Sequence, residues 1–233
     1  MERKEKGLVV LSGGQDSATC LAMAAAEREE IYAVSFDYGQ KHIKELQCAS
    51  KLVELAGVKE HRIVNLKEAF GSLNSVSALT NPQMDISGAH PLNNNLPASF
   101  VPGRNFFLLG FAAVVAYNLG IKYMYAGMNQ EDFSGYPDCR SDSITMVGEA
   151  LRLCLDYPIH ILTPLIYLKK KQIVERMMFL DKLEWYRYTM TCYNGEYPPC
   201  GTCPSCKLRA KGFAEAGIAD PIFDYRHEGA KLL

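Results

Sequence analysis

Near the N-terminus, Ser12-Gly13-Gly14-Gln15-Asp16-Ser17 places two hydroxyls and a carboxylate around a pair of glycines. Two glycines let the backbone turn tightly with its N–H groups pointing inward. An Ala-rich helical pattern follows at once, and the unpaired N–H groups of its first turn add partial positive charge at the same point. That combination binds phosphate. The loop lacks the lysine of the nucleotide loop G-x-x-x-x-G-K-[ST] and carries instead Asp16, a carboxylate able to hold a metal ion. A Gly-rich turn with Ser17 as a plain helix cap is the alternative. The apolar run Gly7-Leu8-Val9-Val10-Leu11 directly upstream gives the order strand, loop, helix, which favours phosphate binding.

Four of the eight cysteines, Cys192, Cys200, Cys203 and Cys206, are spaced C-x7-C-x2-C-x2-C. Two overlapping knuckles and an upstream cysteine can close a tetrahedron of thiolates around one ion. Thiolate softness and tetrahedral geometry suit Zn²⁺. Pro198, Pro199, Gly201 and Pro204 supply the turns that such knuckles need. An iron–sulfur cluster is the main rival, whereas a redox C-x-x-C accounts for only half of the thiols. A closed four-thiolate site stabilises a fold rather than catalysing, and a reducing cytosol argues against a disulfide framework.

A third concentration of functional groups runs from Gly127 to Arg140. It follows an apolar run that reads as a strand, the place where α/β sheets bind ligands. It offers donors, acceptors, both charge signs and aromatic faces, although an ordinary polar loop has the same composition.

These groups need a frame, and the hydrophobic periodicity supplies one. Strands are expected at 7–11, 31–36, 61–66, 122–127 and 159–162. Helices are expected at 17–29, 41–56, 105–119, 141–156, 169–180 and 205–216. The alternation predicts an α/β fold, a parallel sheet with helices on both faces. The 105–119 helix is apolar nearly all round and reads as a buried central helix. Residues 71–99 break the rhythm with Ser, Asn and Pro, including Asn93-Asn94-Asn95. They read as a long loop, mobile or ordered only with ligand, with a tolerated surface insertion as the alternative.

A chain of 233 residues fits one α/β domain with a small appendix. At 48% hydrophobic and 22% charged it has an ordinary soluble balance. The formal net charge of −1 argues against a dedicated nucleic-acid binder. No apolar run reaches the ~18–20 residues of a membrane span. The charged start Met1-Glu2-Arg3-Lys4-Glu5-Lys6 leads into a strand rather than a signal-peptide core, so a cytoplasmic protein without membrane partners is expected.

The first loop resembles the S-G-G-x-D-S signature of the PP-loop ATP pyrophosphatases, whose fold is the adenine nucleotide alpha hydrolase-like one. More narrowly, four blocks are similar to the 7-cyano-7-deazaguanine synthase family of queuosine biosynthesis. They are Leu11 to Ser17, Val101-Pro102-Gly103-Arg104-Asn105, Asp132 to Arg140, and Thr191-Cys192-Tyr193-Asn194-Gly195 with its cysteines. The blocks reach from residue 7 to about 213. The first block alone identifies only the superfamily, while the Asp132–Arg140 block with the four cysteines makes the resemblance specific. Nothing carries over to 71–99.

The resemblance implies a PP-loop ATP-binding and catalytic domain over 1–185 and a four-cysteine zinc-binding subdomain over 186–233. It implies that ATP with Mg²⁺ adenylates the carboxylate of 7-carboxy-7-deazaguanine. Ammonia then displaces AMP to give an amide, and a second activation drives dehydration to the nitrile. Leu11, Ser12, Gly13, Gly14, Gln15, Asp16 and Ser17 would bind the nucleotide, with Arg104 and Asn105 as further contacts. Asp16, Ser17 and Lys170 would serve catalysis. Lys170 lies in a segment similar to a downstream superfamily motif whose lysine approaches the phosphates. Its alternative is a solvated member of the Lys169–Lys171 run. Asp132, Ser134, Tyr136, Asp138 and Arg140 would contact the deazapurine, and the four cysteines would hold one structural Zn²⁺. Cys139 reads as a thioester nucleophile or a buried small residue, the second being preferred. A homodimer that binds no nucleic acid completes the expectation. A PP-loop tRNA-modifying enzyme lacks the spare length and basic surplus here, and a zinc-ribbon nucleic-acid module leaves the first loop unexplained.

Overall fold

Short apolar runs closed by turn residues build a parallel sheet, and the helices between them supply the crossovers that parallel pairing requires. The computed structural model describes residues 5–40, 44–73, 77–81, 83–86, 88–130 and 135–223. In chain order the first elements are β1 (Gly7–Val10), α1 (Gln15–Glu27), β2 (Ile31–Asp37), α2 (Lys44–Ala56), β3 (Glu60–Asn65) and α3 (Lys67–Ser72). Then come β4 (Ala89–His90), β5 (Asn93–Pro97), α4 (Arg104–Asn118) and β6 (Tyr123–Ala126). The chain continues through α5 (Ser141–Leu155), β7 (His160–Leu162), α6 (Lys170–Phe179) and α7 (Pro204–Ala216). The main sheet has the order β3-β2-β1-β6-β7, with every neighbouring pair parallel.

Alternation along the strands sends side chains to two cores. Val9 and Leu11 face α1, α6 and α7 through Leu21, Ile173, Met177 and Phe213. Leu8, Phe36 and Met124 face α4 through Leu109 and Ala112. The order of crossovers reverses between β1 and β6. A crevice opens there at the carboxyl ends of the strands, the usual ligand position in such sheets.

Two expectations need correction. The α4 helix is not buried all round. Leu109, Ala112, Ala113 and Ala116 pack on the sheet, and the small alanines allow close approach. Phe106, Phe107, Phe111, Val114 and Tyr117 on the other flank are exposed. Apolar composition cannot say which flank a sheet covers. The described residues of 71–99 are not loop throughout. β4 and β5 form an antiparallel hairpin. Ala78 N–H donates to the Ala98 carbonyl at 2.7 Å. Ser77, Ala78, Leu79 and Ala98 are all buried. Ala98 N–H donates in turn to the Gly88 carbonyl at 2.8 Å, so apolar anchors and several backbone bonds hold a stretch whose composition reads as loop. Among the described residues no helix is long and apolar enough to cross a membrane.

Candidate active site

The Ser12–Ser17 loop joins β1 to α1 and is held by its own hydroxyls. Ser17 Oγ accepts from Gly13 N–H at 3.2 Å and donates to the Gly14 carbonyl at 3.1 Å. Ser12 Oγ accepts from Gly14 N–H at 3.2 Å and lies 3.1 Å from Ser17 Oγ. Gly13 has φ +90°, and a Cβ there would lie 2.1 Å from the Glu45 carbonyl oxygen of α2. Only glycine fits both the conformation and the approach. The Gly13 carbonyl in turn accepts from Met190 N–H at 2.9 Å, which fastens the loop to the chain entering the cysteine cluster.

Asp16, in the first turn of α1, faces Lys170, the first residue of α6. Lys170 Nζ donates to Asp16 Oδ1 at 2.8 Å and to Oδ2 at 2.7 Å. The Lys170 side chain is only 11% exposed, so it is not a solvated member of its run. Asn129, just after β6, donates through Nδ2 to the Leu165 carbonyl at 2.8 Å and the Leu168 carbonyl at 2.6 Å. That grip fixes the turn leading into Lys170.

These groups line a cleft of about 560 Å³. Leu11, Ser12, Gly14, Gln15, Asp16, Ser17 and Lys170 form its polar end. Its aromatic end includes Phe36, Tyr38, Tyr136 and Tyr193 together with Arg104, Asn105 and Cys139. The Arg104 guanidinium sits 5.5 Å from the centre of the Tyr136 ring. Burial alone would pull its pKa down, but Tyr38, Tyr136, Cys139 and Asp138 hold it above the ordinary value. It therefore presents a permanent charge suited to a carboxylate or phosphate. The Tyr136 hydroxyl is hydrogen-bonded to Ser99 Oγ. Asp138 points at α4, its Oδ2 accepting from Asn105 N–H at 2.9 Å. Cys139 Sγ accepts from Asn105 Nδ2 at 3.2 Å. Burial pushes the Cys139 thiol up to about 11, so it is protonated at neutral pH and poorly suited to attack. Arg140 is exposed at the N-terminus of α5 and is not among the residues lining the cleft. Asp132 and Ser134 lie outside the described residues.

The four cysteines converge as their spacing predicts. The ligand atoms of Cys192, Cys200, Cys203 and Cys206 all lie within 4.8 Å of one another. Cys200 Sγ and Cys206 Sγ are 3.9 Å apart, close to the about 3.8 Å edge of a tetrahedron with 2.3 Å metal–sulfur bonds. Backbone N–H groups of Cys203 and Cys206 point at the sulfurs of Cys200 and Cys203, at 3.4 and 3.5 Å, an environment that favours thiolate. The donor set fits a tetrahedral soft-ligand metal such as zinc. All eight cysteines are free of disulfides.

Sequence reading missed several cleft residues. Leu79, Ile86, Pro97 and Ser99 come from the segment taken for a loop, and Arg209 comes from α7. Arg209 pairs with Asp220 at 2.6 and 2.8 Å and donates to Thr189 Oγ1 at 2.6 Å. Asn129 had a legible signal, because it closely follows a strand end in a polar block.

Comparison with known proteins gives the family. The family model described as queuosine biosynthesis protein QueC matches residues 6–217. A Chromobacterium violaceum protein named 7-cyano-7-deazaguanine synthase is 46% identical over 222 residues, covering 94% of each chain. A Lysinibacillus sphaericus protein of the same name is 43% identical, covering 97% of this chain and 99% of that one. Among solved structures, a 4-thiouridine synthetase–RNA complex with bound ATP superposes with a TM-score of 0.52 at 15% identity. It covers 91% of this chain and 50% of that one, and at this identity the likeness is one of fold. Every residue lining the cleft falls inside the matched span. The chain is a member of the queuosine biosynthesis protein QueC family.

Proposed function

We propose that the chain converts 7-carboxy-7-deazaguanine and ammonia to 7-cyano-7-deazaguanine with cleavage of ATP, as a cytoplasmic enzyme. Family membership supports the overall reaction. The observation that carries the site assignment is the partly buried Lys170–Asp16 pair at the mouth of the glycine loop. A carboxylate oxygen is a poor leaving group, and adenylation makes it a good one. The substrate carboxylate attacks the α-phosphorus of ATP, and the bond to the β-phosphate oxygen breaks. Negative charge grows on departing pyrophosphate, so the protein's task is positioning and electrostatic stabilisation.

The residues divide accordingly. First-turn N–H groups of α1 and the Ser12 and Ser17 hydroxyls cradle the phosphates. Polyphosphate offers the Lys170 ammonium a further anionic partner beside Asp16. Asp16 would hold Mg²⁺, which supplies charge neutralisation at pyrophosphate when bound. The aromatic end of the cleft takes the flat deazapurine, with Tyr136 beneath it and the Arg104 guanidinium facing its carboxylate. Asn105 and Asp138 brace Arg104, the latter by fixing the start of α4. Residues 1–185 carry most of this chemistry, while 186–233 add Tyr193 and Arg209 to the cleft wall and hold one structural Zn²⁺ in the four cysteines. The uncharged aromatic flank of α4 suits the face of a homodimer, which light scattering would test.

The test of the reaction is direct. Purified protein supplied with ATP, Mg²⁺, ammonia and 7-carboxy-7-deazaguanine should yield the nitrile, AMP and pyrophosphate by mass spectrometry. ATP cleavage without a nitrogen-containing product would refute the assignment.

A further inference from the structure

The helix that starts in the cysteine cluster ends its crossing on the lysine of the cleft. α7 is capped by Cys203, whose sulfur accepts Cys206 N–H. Further along, at Gly212, it meets α6. A Cβ at Gly212 would lie 2.6 Å from Lys170 Cβ, 3.2 Å from its carbonyl carbon and 3.3 Å from its carbonyl oxygen. These are backbone or backbone-proximal atoms, which cannot swing aside as the tip of a side chain can. Gly212 is also mid-helix, where glycine costs about 1 kcal/mol relative to alanine. A close approach to Lys170 accounts for a residue that weakens its own helix. Lys170 is thus held from two sides, by α7 behind it and by the Asn129 grip on the preceding turn. From that fixed base its ammonium reaches Asp16.

We propose that Gly212 is a positioning residue for Lys170, through which the cysteine-anchored helix sets where the ammonium stands against Asp16 and the phosphates. The inference rests on the reading that Lys170 acts on ATP. A Cβ at position 212 would push Lys170 outward by a sizeable fraction of an ångström, and small misplacements of a charge-stabilising group are costly in rate.

A double-mutant cycle tests it, with turnover, KM for ATP, metal content and thermal midpoint read for each variant. Gly212→Ala should lower kcat roughly 10- to 100-fold, with metal content and thermal midpoint near those of the parent. Lys170→Met should lower kcat by roughly 100-fold or more. The double variant should be no slower than Lys170→Met alone, within about twofold, because non-additivity marks one shared route. Unchanged kcat in Gly212→Ala, or losses that multiply in the double variant, would overturn the proposal. Wild-type turnover in Lys170→Met would instead refute the reading of Lys170, and the proposal with it. Should Gly212→Ala not fold, Phe213→Leu, away from the cleft, loosens the packing of α7 on Tyr186 without adding an atom at the contact. The same non-multiplying loss with Lys170→Met is then expected, and a multiplying one overturns the proposal.

Discussion

Asp16 and Lys170 satisfy each other across 2.7 and 2.8 Å, so removing either strands a partly buried charge. Asp16→Ala should therefore lose at least roughly 100-fold in turnover while circular dichroism stays that of the folded protein. Near-parental turnover would remove Asp16 from the machinery. The arginines make a sharper contrast, since Arg104 lines the cleft and Arg140 does not. Losing a charged hydrogen bond costs about 1.5–3 kcal/mol, or roughly 10- to 100-fold. Titration calorimetry should show that loss for the carboxylate substrate with Arg104→Ala and little change with Arg140→Ala; the reverse order would exchange their roles. The Cys139 thiol, pushed up to about 11 by burial, should alkylate slowly at neutral pH and faster as pH rises toward that value. Peptide mass spectrometry reads this, and a rate already at its plateau by about pH 8, near the ordinary thiol range, would contradict the protonated thiol. At this scale much was legible. Asp16, Ser17 and Lys170 each stand in a recognisable motif, but their pairing is not, because the two sites lie 154 positions apart and no local rule joins them.

Elements carry the site by their ends. The carboxylate of Asp138 accepts the Asn105 N–H at the start of α4, a side-chain cap from 33 residues downstream. Asp138→Ala should lower stability by about 1 kcal/mol, the usual worth of such a cap, and should weaken substrate binding through Arg104 next door. Denaturant unfolding that moves by nothing would make the contact incidental. The alternation of strand and helix was readable because apolar periods of two and of 3.6 dictate it. What the periods could not supply was context. The flank of α4 with Phe106, Phe111 and Tyr117 is as apolar as the flank that packs, and only the sheet decides between them. The β4–β5 hairpin has one short strand of two residues and another dominated by asparagine, with the buried Leu79 and Ala98 outside its strands, so no alternation announces it.

For the whole molecule, the cysteine cluster and the glycine loop are one body. Cys48 of α2 packs against Met190, Cys192, Cys203 and Cys206, and α2 also lies against Gly13. Metal-binding energy contributes directly to folding in such sites. Cys203→Ser should therefore lower metal content and thermal midpoint together, and elemental analysis of the parent protein should find zinc. Iron, or no metal, would refute the assignment. The bond from Met190 N–H to the Gly13 carbonyl has a consequence in time rather than in space. Synthesis delivers Asp16 and its glycine loop 154 positions before Lys170, and the Met190 strap and α7 follow later still. Local contacts form early and distant ones late, after the chain between them has been ordered. A ribosome-bound chain that has not yet reached Lys170 therefore carries the glycine loop without the ammonium, the strap and the helix that later pack around it.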